Sequence, residues 1–172
     1  MVFLPVPVRW RSHMTEPIER YDLRSLKILV IDDEPAMLEV IKGILTRCGV
    51  GEVKTSSDAA MAFEQMRYSV PDIIFVDWEM EPLDGGDFLR LVRSDNRFEN
   101  RPIGLFVITG FPEEWRVNQA IRAGADDFIA KPVSTNGVKA KLFRYIDRKR
   151  EDLQTRCINQ KYAKLNKLEK TA

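Results

Sequence analysis

The chain has 172 residues, of which 44% are hydrophobic, and a formal net charge of +1. This suits one domain with a buried core, and an overall charge near zero names no partner. Cys48 and Cys157 offer neither a disulfide framework nor metal-ligand spacing and read as reduced thiols of a cytoplasmic protein, and no apolar run nears the ~18 residues of a membrane-spanning helix.

The chain opens with MVFLPVPVRWRSHM, an apolar stretch broken by Pro5 and Pro7 and followed, not preceded, by arginines. That is the wrong charge order for a secretory signal. Residues 1–24 are read as an N-terminal extension, expected to be poorly ordered, with Met14 as an alternative start and His13 incidental. The first strand is Lys27–Ile31, a continuous apolar run ending in Asp32, Asp33 and Glu34. A helix follows over Pro35–Cys48, with Pro near its first turn and Gly49 beyond its end.

A strand over Glu52–Thr55 and a helix over Ser57–Arg67 come next, the helix closed by Pro71. The third strand, Asp72–Val76, ends at Asp77. A helix over Gly86–Arg93 places Phe88, Leu89 and Val92 on one face. The fourth strand, Ile103–Ile108, ends at Thr109. A helix over Pro112–Ala123 stops before Gly124. The fifth strand, Asp127–Ala130, ends at Lys131, and a last helix starts near Ser134 with Val138, Leu142 and Ile146 at helical spacing. Near-continuous apolar strands alternating with amphipathic helices predict an α/β fold, (βα)5. It is a doubly wound parallel sheet of five strands with right-handed crossovers and helices on both faces.

Charge is unevenly spread. Ile28 to Pro132 holds 11 Lys/Arg against 19 Asp/Glu, whereas Ser134 to Ala172 holds 11 Lys/Arg against 4 Asp/Glu. In the tail, Ile158, Tyr162, Leu165 and Leu168 form one narrow stripe. Two readings stand side by side: a solvated basic helix, or a surface for self-association or for an acidic partner. About 25 residues cannot supply a winged-helix domain, so nucleic-acid binding is not expected.

In open α/β sheets, ligands bind beyond the carboxyl ends of the strands. Parallel strands therefore bring Asp32, Asp33, Asp77, Thr109 and Lys131 to one edge. Alone, Asp32 and Asp33 suit a solvated helix entry, since acids favour helix N-termini. Together with Asp77 they suit a divalent cation, and oxygen ligands at a small site favour Mg²⁺. A hydroxyl and an ammonium beside them suit phosphoryl oxygens, and an Asp carboxylate can itself be the nucleophile.

These residues resemble the receiver domains of response regulators in two-component signalling. The resemblance spans roughly Leu26 to Arg148 and rests on the paired acids, on VDWEMEPLDG after the third strand, and on AGADDFIAKPVS at the fifth. It implies a flavodoxin-like strand order of 2-1-3-4-5, a receiver domain over residues 25–148 and a basic helical tail over 149–172. It further implies that Asp77 is the phosphoacceptor, assisted by Thr109 and Lys131. Asp33 and Asp77 would hold Mg²⁺ with the main-chain carbonyl of Glu79, and Asp32 would act through metal-bound water. Thr109 and Phe128 would form a switch pair, and Lys131–Pro132 would be cis. Glu79 and Phe111 fall where family members tune phosphate lifetime. Trp78 is placed to report metal binding, and Trp115 to lie on the fourth-helix face.

The resemblance implies a phosphorylation-dependent switch and not a turnover enzyme. Its donor would be a histidine kinase or phosphotransfer protein. Its downstream protein partner would sit on the face of helix 4, strand 5 and helix 5, with a homodimer through the C-terminal helix as a further arrangement. Haloacid-dehalogenase-like phosphatases use similar groups, but they carry a second Asp where this chain has Glu79; a pseudo-receiver scaffold is the other alternative. Two departures stand out. Glu81 takes the place of the usual Pro, with Pro82 after it, which predicts a reshaped loop. RSDNRFENRP is slightly long, which predicts a longer surface loop.

Overall fold

The strands form a single sheet in the order β2-β1-β3-β4-β5, every neighbouring pair parallel. A computed structural model describes residues 23–99 and 103–149. The N-terminal extension up to residue 22 and the stripe from Ile158 to Leu168 lie outside the described residues. The elements are β1 Lys27–Ile31, α1 Pro35–Arg47, β2 Glu52–Ser56, α2 Ala59–Gln65 and β3 Ile73–Asp77. Then follow α3 Gly85–Ser94, a 3-10 turn at Asn96–Phe98, β4 Gly104–Thr109, α4 Glu114–Ala123 and β5 Asp127–Ala130. Residues 135–149 are helical and are called α5. The fold is the flavodoxin-like one the resemblance implied.

The strands alternate between two cores. Ile28, Val30, Phe75, Phe106 and Ile108 point toward α1 and α5, meeting Leu38, Ile41, Leu45, Val138 and Leu142. Leu29, Ile31, Ile74, Val76, Leu105 and Val107 point toward α2, α3 and α4, meeting Ala62, Phe88, Leu89, Val92 and Ala120. Each large side chain buried in this way contributes about 1.5–3 kcal/mol. β3 and β4 are buried at every position, which is why their sequences lack polar alternation. Phe106 lies at the centre of one core, stacked on Phe75 at 5.0 Å and edge-on to Tyr145 at 5.4 Å. Leu23 also packs into this core, just ahead of the segment assigned to the fold from sequence.

Element ends differ from the expectations by one or two residues, for local reasons. β3 and β4 run one residue further, through Asp77 and Thr109, because the ladder continues past them: Trp78 N donates to Ile108 O at 2.8 Å, and Lys131 N to Thr109 O at 2.7 Å. α2 is shorter than expected because Asp58, not a residue before it, caps the helix by accepting from Met61 N at 2.7 Å. α4 starts two residues after Pro112 and ends on Gly124, whose φ of +108° is the left-handed cap that only glycine adopts freely. In the long loop, the 3-10 turn buries Phe98 against the second core, so part of that insertion is packed.

Candidate functional site

Three strand ends converge as the sequence implied. Asp32 follows β1 and stays in register with the sheet, its N–H donating to Ser56 O at 3.2 Å. Its side chain is fully buried, one carboxylate oxygen accepting from Glu34 N at 2.9 Å. Asp33, the next residue, is exposed. Asp77 closes β3 with its side chain only 5% exposed. Carboxylate oxygens of Asp32, Asp33 and Asp77 all lie within 4.8 Å of one another.

Lys131 reaches into this cluster from the end of β5. Its Nζ is 2.9 Å from Asp77 Oδ1 and 3.4 Å from Asp32 Oδ2. The peptide bond from Lys131 to Pro132 is cis, as the resemblance implied. The second oxygen of Asp32, Oδ2, is buried and makes no hydrogen bond, so the ammonium at 3.4 Å is its sole partner among the described residues. One ammonium thus lies beside two of the three clustered carboxylates.

The electrostatics follow. Burial pushes the carboxyls of Asp32 and Asp77 above the ordinary range, and the Lys131 ammonium only partly offsets it. Burial alone would lower the pKa of Lys131, but its hydrogen bond to Asp77 and the charge of the pair hold it above the ordinary lysine value. An orphaned buried oxygen within an all-oxygen, net-negative donor set fits a small hard divalent cation.

The loop after Asp77 is shaped by two features. The bond from Glu81 to Pro82 is also cis. Asp84 caps α3 by accepting from Asp87 N at 2.7 Å, and Gly85 brings the helix start against the end of β3. A Cβ at Gly85 would lie 2.3 Å from Asp77 O, so only glycine permits this approach. An acidic depression lined by Asp33, Trp78, Glu79, Met80, Glu81 and Asp84 opens beside the cluster.

Thr109 stands one residue beyond Ile108, the partner of Asp77 in the β3–β4 register. Its hydroxyl accepts from Phe111 N at 3.0 Å, so it is engaged by its own loop. Behind it lies a small cavity lined by Trp78, Val107, Thr109, Arg116, Val117, Ala120 and Phe128. Phe128 is half-buried, with Lys141 Nζ 4.5 Å from its ring centroid. The structure thus joins Asp32, Asp33, Asp77 and Lys131 by direct distances and sets Thr109 and Phe128 around one cavity. Trp115 is exposed on α4.

Two features escaped the sequence reading. Arg116 bonds Glu79 across 37 residues at 2.7 Å, a pairing with no local sequence signal. Asp127 is held by Lys141 and Arg144 of α5; the three-residue spacing of that pair on one helix face was its only trace.

An open parallel sheet in this order, with an acidic cluster at its carboxyl edge, defines a flavodoxin-like domain whose site lies where such sheets bind ligands. The family model described as "Response regulator receiver domain" matches residues 28–143, and the chain belongs to that family of two-component signalling modules. It is similar to the chemotaxis protein CheY1 of Helicobacter pylori strain J99, with 33% identity over 118 residues, covering 68% of this chain and 94% of that protein. It is similar to CheY-3 of Vibrio cholerae, with 26% identity over 125 residues, covering 73% and 95%. Among solved structures, a receiver-domain protein from Clostridium thermocellum aligns with TM-score 0.63 and 28% identity, covering 73% of this chain and 97% of that one. CheY4 of V. cholerae aligns with TM-score 0.64 and 22% identity, covering 69% and 97%, which speaks for the fold alone. In this family an acidic triad such as Asp32, Asp33 and Asp77 is typical of a Mg²⁺ site. Among the described residues, no helix is long and apolar enough to cross a membrane.

Proposed function

We propose that this receiver accepts a phosphoryl group on Asp77 from the phosphohistidine of a histidine kinase or phosphotransfer protein, and that the acyl phosphate changes its affinity for a protein partner. The observation that carries this reading is the imbalance at the site: among the described residues, Lys131 is the one cationic side chain on Asp77, at 2.9 Å, and on Asp32, at 3.4 Å, while Asp32 Oδ2 has no hydrogen bond. Asp33, Asp77 and the main-chain carbonyl of Glu79 would hold Mg²⁺, with Asp32 reaching it through water. When bound, the ion neutralises the carboxylates and the incoming phosphoryl oxygens.

A carboxylate oxygen of Asp77 attacks phosphorus as the P–N bond of the donor breaks, and the imidazole leaves with the electron pair. Lys131 keeps its proton throughout and balances charge on the phosphoryl oxygens. Thr109 exchanges its bond to Phe111 N for one to a phosphoryl oxygen. Phe128 then turns into the cavity behind it, giving the two states the partner discriminates.

The partner face of α4, β5 and α5 is supported by the exposed rings of Phe111 and Trp115 and by exposed Ile121. A cytoplasmic setting goes with this reading and with the buried free thiol of Cys48. A homodimer through the tail would add a second readout. Amide NMR with beryllofluoride and Mg²⁺ tests the switch. Shifts at Thr109, Phe128 and α4 that vanish in Asp77→Asn are expected, and the same shifts in that variant would contradict it.

A further inference from the structure

Glu79 stands two residues past Asp77 and lines the acidic depression beside the three aspartates. Its carboxylate does not face that depression alone. Arg116, in the first turn of α4, donates from Nη1 to Glu79 Oε1 at 2.7 Å. The guanidinium is tightly placed: its centre lies 4.7 Å from the Phe111 ring centroid and 4.9 Å from that of Trp115. Its side chain is 25% exposed, and Nε is buried without a hydrogen bond. The carboxylate of Glu113, the N-cap residue of α4, approaches Nε only to 4.0 Å. An arginine close to two rings, whose one hydrogen-bonded carboxylate among the described residues lies on another segment, is built to hold that carboxylate.

We propose that Arg116 is a positioning residue of the phosphorylation site: it draws the Glu79 carboxylate toward α4, neutralises it, and so keeps a fourth negative charge away from the mouth of the aspartate pocket. This deepens the phosphoacceptor reading and rests on it. The pocket has two opposed tasks. It binds a cation, which added negative charge favours, and it admits an anionic phosphoryl donor, which added negative charge repels. The clasp sets the balance between them.

Removing the guanidinium frees Glu79 to face the pocket. Arg116→Gln therefore moves the two tasks in opposite directions. At low ionic strength the Mg²⁺ dissociation constant falls about threefold and the rate of phosphorylation by acetyl phosphate falls about threefold, the size expected of one unscreened charge acting through water over several ångströms. Both effects shrink at high salt. Adding Glu79→Gln to Arg116→Gln removes the stray charge and cancels both changes. A purely structural role for Arg116 would weaken cation binding and phosphorylation together, with no rescue.

The experiment measures Mg²⁺ affinity from the midpoint of a tryptophan-fluorescence titration, and acetyl phosphate rates in the same buffers. It compares the wild type, Arg116→Gln, Glu79→Gln and the double variant, with Asp77→Asn as control. Opposite shifts in Arg116→Gln that the double variant abolishes support the proposal. Shifts of the same sign, no shift, or no rescue overturn it. Failure of the phosphoacceptor reading is separately visible, as label on Asp77→Asn.

Discussion

The molecule holds buried aspartates in two places, one in contact with Lys131 and one four residues before it in the chain, and they are treated in opposite ways. At the mouth of the sheet, Asp32 and Asp77 share one ammonium with Asp33 nearby, and burial raises both pKa values. At the start of β5, Asp127 has a side chain only 7% exposed, yet it accepts from Lys141 Nζ at 2.7 Å, from Arg144 and from Phe128 N at 2.9 Å. Burial alone would raise its pKa too, but these donors win and hold it below the ordinary carboxylate range. Its neighbour Asp126 is likewise satisfied, by Arg93 at 2.8 Å and Leu105 N at 2.9 Å. A buried carboxylate with its donors in place fastens helices to the sheet. A buried cluster short of donors carries negative charge that a cation would offset.

The sharpest way to break this comparison is to remove the Lys131 ammonium from the acidic pocket. Lys131→Met should slow phosphorylation by acetyl phosphate about 100-fold, the usual cost of losing one preorganised charge at a reacting centre. Stopped-flow fluorescence measures it, and a change under threefold would remove Lys131 from the chemistry.

The second test acts on the satisfied carboxylate. Asp127→Asn should lower unfolding stability by about 2 kcal/mol in urea, because Lys141 and Arg144 lose their shared partner. Arg144 is 59% exposed, which keeps the cost below that of a fully buried pair. The variant should still take up label, since Asp127 touches none of the pocket. Loss of label with unchanged stability would erase the distinction between the two places.

The third and smallest effect is a pH dependence of opposite sign. Asp32 and Asp77 have raised folded pKa values, so their contribution to stability is full below the unfolded carboxylate value and is lost as pH rises through the folded ones. Asp127 has a lowered folded pKa, so its contribution is present above the unfolded value and is lost as pH falls through the folded one. Mg²⁺ at a few times its dissociation constant should therefore raise stability by about 1 kcal/mol at neutral pH, fading toward pH ~4. Thermal unfolding with and without the ion checks it. An equal gain at both pH values would mean that the ion binds elsewhere.

The same contrast explains what was legible in the sequence. Strand ends, apolar runs and glycine stops are local signals, and they located β1 and β5 to the residue and the other elements nearly so. Asp32, Asp33, Asp77 and Lys131 were legible because a parallel sheet carries every strand's last residue to one edge. Whether an aspartate has donors is a tertiary fact. Nothing near Asp127 announces Lys141 and Arg144, and nothing near Glu79 announces Arg116. The orientation of the Thr109 hydroxyl toward Phe111 N was equally hidden, because a rotamer is set by the loop around it and not by strand position.

The most direct test of the central claim, that the underpaired acids at the sheet edge form a cation-dependent phosphoryl acceptor, is intact-mass spectrometry after incubation with acetyl phosphate. The wild type should gain the mass of a single phosphoryl group with Mg²⁺, none with excess chelator, and none in Asp77→Asn. Equal labelling of Asp77→Asn, or labelling indifferent to Mg²⁺, would contradict the account.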